Sequence, residues 1–360
     1  LVSPTASGKS LIIYMIVRAL NVKTLIIVPT TSLVSQLYAD FQEYGWDSAK
    51  FCHQIYAGQD KVSDKKVVIS TWQSIYKLGR KLFEPYKLVI GDEAHGFKSK
   101  SLTSIMTKCV NAEYRIGTTG TLDGTQTHKL VLEGLFGKIY KVTTTAKLID
   151  RKQLASFRIN IIVLKYPDDV CHQFRKIKYA DELEYIVTHE KRNKYIRNLV
   201  LSLDGNTLLL FRLVKKHGRI LYDMIKEKTD DNRKTFFVFG GTETETREQI
   251  RAIAETERDA IIVASYGVFS TGINIRNLHN IVFASPSKSR IRNLQSIGRG
   301  LRKSDTKEAA TLYDISDDLS YNGKKNYTLN HFIERVKIYT SEYFPYHIYT
   351  IPIQTITDSL

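Results

Sequence analysis

Short runs of aliphatic and β-branched residues recur along this chain, each followed by a small or polar residue and then by a stretch with helical spacing. In the first half the runs are Leu25–Pro29, Val67–Thr71, Leu88–Gly91 and Tyr114–Thr118. The rhythm returns in the second half at Thr207–Phe211, Thr235–Phe239, Ala260–Ala264, Asn280–Ala284 and Ala310–Asp314. Strands alternating with helices predict parallel α/β construction, because a parallel crossover needs a long connection to return the chain. Between the halves, residues 143–168 lose the pattern, and a charged helical stretch follows at Arg175–Lys194. The domain boundary is therefore placed near Ile149, giving domains over 1–149 and 150–318. In the tail, 319–360, one helix is predicted at Leu329–Tyr339 and no pattern follows it.

Composition changes this picture in two ways. A chain of 360 residues with 42% apolar and 25% charged positions can bury two cores and is not of the disordered class. Lys and Arg number 53 against 37 Asp and Glu, a net charge of +16. A polyphosphate backbone is the commonest partner for such an excess, although charge alone fits a generally basic protein equally well. Cys52, Cys109 and Cys171 lie far apart and form no C-x-x-C pair, so no zinc site or disulfide framework is indicated. The longest apolar run, Leu11–Val17, is far too short to span a bilayer and predicts a buried helix. Leu1 is not a methionine and the first motif is already under way, which reads as a fragment lacking its true N-terminus.

That first motif is SPTASGKS, residues 3–10. A phosphate-binding P-loop reads G-x-x-x-x-G-K-S/T, and here Ser3 stands where the first glycine belongs. Gly8 allows close backbone approach, Lys9 supplies charge for the β- and γ-phosphates, and Ser10 supplies a hydroxyl for Mg²⁺. Pro4, Thr5, Ala6 and Ser7 form the rest of the loop. Alone, GKS is equally an ordinary polar helix cap. KLVIGDEAH, residues 87–95, shifts the balance: a hydrophobic strand ends in Asp92, placed to hold the metal, and Glu93, placed to orient or deprotonate an attacking water.

With these motifs the chain resembles the superfamily-2 helicases and translocases. IIVPTTSLVSQ (26–36), STWQS (70–74), DEAH (92–95), TGTL (119–122), ASYGVFSTGINI (264–275) and QSIGRGLR (295–302) follow in the family's order. The resemblance implies two tandem RecA-like P-loop domains, each a parallel sheet flanked by helices. It assigns Arg299 and Arg302 to the γ-phosphate as arginine fingers, and Gln295 to the nucleotide or its water. A permanently charged planar fork suits a developing phosphoryl charge. Gly272, Thr271 and Asn274 fall in the motif that links the ATP and DNA sites. Thr30, Thr31, Thr71, Trp72 and Gln73 in the first half, and Arg212, Lys215 and Gly241 in the second, are candidate contacts to a nucleic-acid backbone. Trp72 reads as core more readily than as a stacking platform, and His95 either couples the domains or packs.

FGKIYKVTTTAKLI (136–149), EKRNKYI (190–196) and GVFSTGINIRNLH (267–279) narrow the likeness to the UvsW-type helicases of T-even-like bacteriophages. The resemblance implies an ATP- and Mg²⁺-dependent DNA helicase of the host-cell cytoplasm that remodels branched DNA, including Holliday junctions, forks and RNA-containing R-loops. The family's N-terminal DNA-binding region and adenine-recognition motif are not among these residues. The alternatives are a duplex translocase without strand separation, an RNA helicase, or a non-catalytic nucleic-acid-binding protein with a decayed P-loop.

Overall fold

A computed structural model describes the chain except residues 5, 6, 57, 59, 123, 124, 231, 232, 272–274, 276, 288, 290–308 and 358–360, and gives the backbone alone at 98, 244, 270 and 271. Two compact units divide it, Leu1–Thr144 and Thr145–Leu360. Both are parallel α/β sandwiches, the tandem RecA-like arrangement.

The first unit holds five strands: β1 (Thr24–Val28), β2 (Cys52–Ile55), β3 (Val67–Thr71), β4 (Leu88–Asp92) and β5 (Tyr114–Thr118). They run parallel in the order β2-β3-β1-β4-β5. Every residue of β1 and β3 is buried, as befits strands covered by helices on both faces. Ile26 and Val28 pack with Ile13, Val34 and Phe41 on one face, while Leu25 and Ile27 pack with Phe97, Ile105 and Met106 on the other. Side chains two apart share a face of a strand, so one short run feeds two cores.

The apolar run after the P-loop forms the helix Lys9–Leu20, but it is not buried all round. Ile13 and Val17, one turn apart, are sealed, whereas Leu11 is 43% and Met15 60% exposed. A helix lying on a sheet buries only one stripe, whatever the residues on its other side.

The second unit holds seven parallel strands: β6 (Ser156–Lys165), β7 (Thr207–Phe211), β8 (Thr235–Val238), β9 (Ile261–Ser265), β10 (Asn280–Phe283), β11 (Ala309–Asp318) and β12 (Tyr346–Pro352). Their order is β12-β6-β11-β10-β7-β9-β8. Strands β6 and β12 lie where no strand is predicted. β6 pairs with β11 over its full length, from Ser156 against Ala309 to Lys165 against Asp318. β12 closes the edge beside β6 and leaves Ile348 and Tyr349 half exposed. The charged stretch expected as one helix is two, Tyr179–Thr188 and Glu190–Ser202, and the His189 ring caps the second by accepting from Arg192 N at 3.3 Å.

The predicted tail helix spans Tyr327–Ser341. Its first turn is capped from a distance in sequence: the buried Glu182 carboxylate accepts from Asn326 Nδ2 (2.9 Å), Tyr327 N (2.9 Å), Thr328 N (2.7 Å) and Thr328 Oγ1 (2.8 Å). Negative charge at a helix N-terminus satisfies otherwise unpaired N–H groups and complements the helix dipole. Among the described residues no helix is long and apolar enough to cross a membrane.

Candidate nucleotide and nucleic-acid sites

In parallel sheets the carboxyl ends of all strands fall on one edge, where ligands of open α/β folds bind. The chain reaches this edge of the first unit through Val2, which bridges Thr119 and Lys141. Ser3 is buried; its N–H donates to Thr119 O at 3.0 Å and its Oγ donates to Ser7 Oγ at 2.6 Å. The turn closes with Ser7 N donating to Pro4 O at 3.2 Å. Among the described residues of this loop, only Gly8 has a positive φ, 81°, a conformation that favours glycine. Ser3 therefore carries its side chain without backbone strain, and the motif's missing glycine leaves the described turn intact. Thr5 and Ala6 lie outside the described residues.

Lys9 points back over the loop, with Nζ 3.4 Å from both Ser3 O and Pro4 O. Ser10 Oγ is 2.8 Å from Tyr44 OH, which follows the helix Thr31–Glu43. Asp92 ends β4 and accepts from Thr118 Oγ1 at 2.7 Å. Burial, and then the neighbouring Glu93, hold the Asp92 carboxyl above its ordinary range, against the opposing pull of Lys9 and the Thr118 hydrogen bond.

Glu93 sits in left-handed backbone (φ 50°, ψ 49°), a conformation non-glycine residues adopt at a cost. Its Oε2 lies 3.2 Å from His95 Nδ1, which is also 3.0 Å from Thr119 Oγ1. The His128 ring meets His95 O at 3.0 Å. His95 thus joins the DEAH and TGTL segments within the first unit. Among the described residues no cluster of three or more His, Cys, Asp or Glu could hold a metal. The donors at hand are a hydroxyl and a carboxylate, which suits a hard cation that keeps several waters.

The neighbouring strand ends hold the first-half nucleic-acid candidates. Thr30 caps the helix Thr31–Glu43 by accepting from Leu33 N at 3.4 Å, and Thr31 is exposed. Gln73 is exposed and ties β3 to β1 through Nε2 to Pro29 O at 3.2 Å. Thr71 is buried against Ser74 Oγ, and Trp72 packs partly into the core, edge-on to Tyr76. Three of the five candidates therefore face solvent or the strand edge, and two face inward.

In the second unit Arg212 follows β7, exposed, with Nη1 donating to Tyr179 OH at 2.6 Å and its N–H donating to Ser285 Oγ at 3.0 Å. Beneath it lies buried His217, Nδ1 2.9 Å from the same Ser285 Oγ; burial and the charge of Arg192 hold the ring well below its usual pKa, hence neutral. Lys215 is exposed in the turn Val214–Gly218. Gly241 is exposed after β8, and a Cβ there would come within 2.7 Å of the Phe239 ring. Thr271 ends the helix Tyr266–Thr271. Gly272, Asn274, Gln295, Arg299 and Arg302 lie outside the described residues.

Tyr44, Thr118, His128, His217 and Ser285 are additions of the structure. Thr118 stands one residue before the TGTL motif and was within reach of sequence reasoning; Tyr44, 34 positions from Ser10, carries no such signal.

Comparison with known proteins gives a consistent result. The family described as Type III restriction enzyme, res subunit matches residues 1–124, and the Helicase conserved C-terminal domain matches residues 190–304. The ATP-dependent DNA helicase uvsW of Enterobacteria phage T4 is 38% identical, over 97% of this chain and 73% of its own length. The DNA 3'-5' translocase XPB2 of Sulfurisphaera tokodaii is 26% identical, over 86% of this chain and 75% of its own. Among solved structures, the Type ISP restriction-modification enzyme LlaBIII bound to DNA matches 98% of this chain and 30% of its own, with a TM-score of 0.69 at 16% identity. At that identity the likeness speaks for the fold.

Proposed function

This chain belongs to the family of the phage T4 helicase UvsW, and from that premise we propose that it is a DNA-dependent ATPase that unwinds or branch-migrates forks, Holliday junctions and R-loops in phage recombination, repair and replication. Its setting on this reading is the cytoplasm of the infected host. Residues 1–149 serve as the ATP-binding domain and 150–318 as the helicase C-terminal domain. The observation that carries the proposal is that the Lys9 charge reaches the buried Asp92 carboxyl at the end of β4, with Glu93 beside it.

Each residue has a role that its chemistry supports. Lys9 exchanges its two carbonyl contacts for the β- and γ-phosphates, with the N–H groups of Gly8–Ser10 around them. Ser10 Oγ and the Asp92 carboxylate are the groups that would hold Mg²⁺. They fit it: a buried carboxyl beside a second carboxyl gains from a cation what burial costs it. When bound, the ion supplies charge to the phosphoryl oxygens. Glu93, steadied by His95, orients the attacking water and accepts its proton. Gln295, Arg299 and Arg302 contribute hydrogen bonds and positive charge to the same phosphates. Thr30, Thr31, Thr71, Trp72, Gln73, Arg212, Lys215, Gly241 and Thr271 grip the strand, and contact to phosphates suits travel over any sequence.

The test is ATP turnover on single-stranded, duplex, forked and four-way DNA. Branched DNA should stimulate most, and Lys9→Ala and Glu93→Gln should each lose roughly 10²-fold or more in kcat. Wild type without turnover, or both variants matching it, would sink the motor reading. The similarity to a protein named a DNA translocase favours one second reading, movement on duplex without strand separation. Triplex displacement without strand displacement would select it.

A further inference from the structure

The strands of the second unit run parallel, so the chain leaves β6, β7 and β11 on one edge of the sheet. Three stretches beyond those strand ends meet there: 175–179, 212–216 and 321–327. Together they carry eight Lys or Arg and no Asp or Glu. Side chains tie them to one another. Arg212 Nη1 donates to Tyr179 OH at 2.6 Å, with the guanidinium 5.9 Å from the centre of that ring. The Tyr179 ring meets the Tyr327 ring at 6.0 Å between centroids and 73° between planes. Lys324 Nζ donates to Arg175 O at 3.0 Å.

The backbone beneath this cluster is fixed. Glu182, on the helix Tyr179–Thr188, accepts from Tyr327 N at 2.9 Å and Thr328 N at 2.7 Å, which clamps the starts of two helices together. Asn322 and Gly323 both have positive φ, 47° and 75°, and Tyr321 and Lys324 exchange two backbone hydrogen bonds of 3.0 Å around them. Asn-Gly favours this tight two-residue turn, which leaves Lys324 and Lys325 exposed. The carboxylates next in sequence are Glu182, which serves the cap, Glu184, which pairs with Lys216, and the exposed Asp181.

Tyr327 is 49% exposed on this rigid frame. A ring left half open adds little to the core; what it offers is a flat π-face beside positive charge. A strand of unpaired bases supplies both complements, base faces for the ring and phosphates for the cations. Duplex DNA supplies only the phosphates, because its bases are already stacked on one another. An acidic peptide likewise supplies charge without a run of flat faces.

We propose that Tyr327, backed by Tyr179 and flanked by Arg212 and Lys324, is a stacking platform for an unpaired base of a single nucleic-acid strand. This rests on the nucleic-acid reading above and adds to it a contact with a base face, where that reading has contacts with phosphates. Stacking leaves binding tolerant of sequence, since every base has a π-face.

The test is fluorescence anisotropy with labelled oligothymidylate and with an abasic strand of equal length, at one salt concentration. Wild type should bind the base-bearing strand more tightly. Tyr327→Ala should lose about fivefold or more on oligothymidylate and stay within about twofold on the abasic strand. Tyr327→Phe keeps the ring and should bind both as wild type does. Lys324→Ala should weaken both alike and reduce the salt slope by about one. No preference for bases in wild type, unchanged oligothymidylate affinity in Tyr327→Ala, or an equal loss on both strands overturns the platform. If polyglutamate binding falls in Tyr327→Ala instead, the surface takes an acidic protein. Should Tyr327→Ala fail to fold, Tyr327→Leu repeats the test with an apolar side chain that has no π-face. Wild type that binds neither strand refutes the nucleic-acid reading itself, whereas wild type that binds oligothymidylate no better than Tyr327→Ala does refutes the platform alone.

Discussion

Asp92 illustrates how much of this site is decided between neighbouring atoms. Its carboxyl sits above the ordinary range because burial and Glu93 penalise the charge more than Lys9 and Thr118 relieve it. A carboxyl whose folded-state pKa is raised contributes stability below its unfolded pKa, and that contribution is lost as pH rises through the folded value. Without nucleotide, Asp92→Asn should therefore melt above wild type at neutral pH, and the gap should close as the buffer is acidified. A lower melting point at pH 7 would contradict this. Thr118→Val removes the hydrogen bond that favours the charged form, so the acid limb of ATP turnover should move to higher pH. Ser3 makes the complementary point. With ordinary backbone and a hydrogen bond to Ser7, Ser3→Gly should leave kcat unchanged and lower stability by about 1 kcal/mol, readable in a denaturant titration.

Elements owe their stability to which stripe or end they cover. In the helix Lys9–Leu20, Ile13 is sealed and Met15 largely open, although both belong to one apolar run. Ile13→Ala should cost about 3 kcal/mol, the usual loss on truncating a packed aliphatic side chain. Met15→Ala should cost under about 0.5 kcal/mol. Equal costs in urea unfolding would mean that the outer face is covered. The helix Tyr327–Ser341 begins on Glu182, which serves four donors at once. Glu182→Ala strands them and should destabilise the second unit by about 2 kcal/mol or more.

At the scale of the whole molecule, the net charge of +16 sets how the protein meets a polyanion. Contacts to phosphates release counterions, so DNA affinity should drop by about 10³-fold or more between 50 and 200 mM salt if six or more phosphates are engaged. Fluorescence anisotropy across that range checks it, and a flat response would argue against a backbone-gripping motor.

By itself the sequence determined the parallel α/β class and most strands, and it named the candidates of the first-unit site. Those rest on local signals: buried aliphatic runs between helices, and GKS and DEAH at strand ends, where chemistry constrains residue type and spacing. β6 opens with Phe157, Ile159 and Ile161 alternating with Arg158 and Asn160, a period-two pattern unlike the continuous apolar runs that mark the other strands, and β12 is an edge strand with one open face, which needs no apolar pattern. Only the tertiary structure decided that Ser3 is unstrained, that Tyr44 meets Ser10, and that Glu182 caps a helix that begins 145 residues later. Only it set Tyr327 against Tyr179 at one sheet edge. Contacts between residues far apart in sequence leave no periodic trace, since each partner taken alone is an ordinary serine, tyrosine or charged helix position.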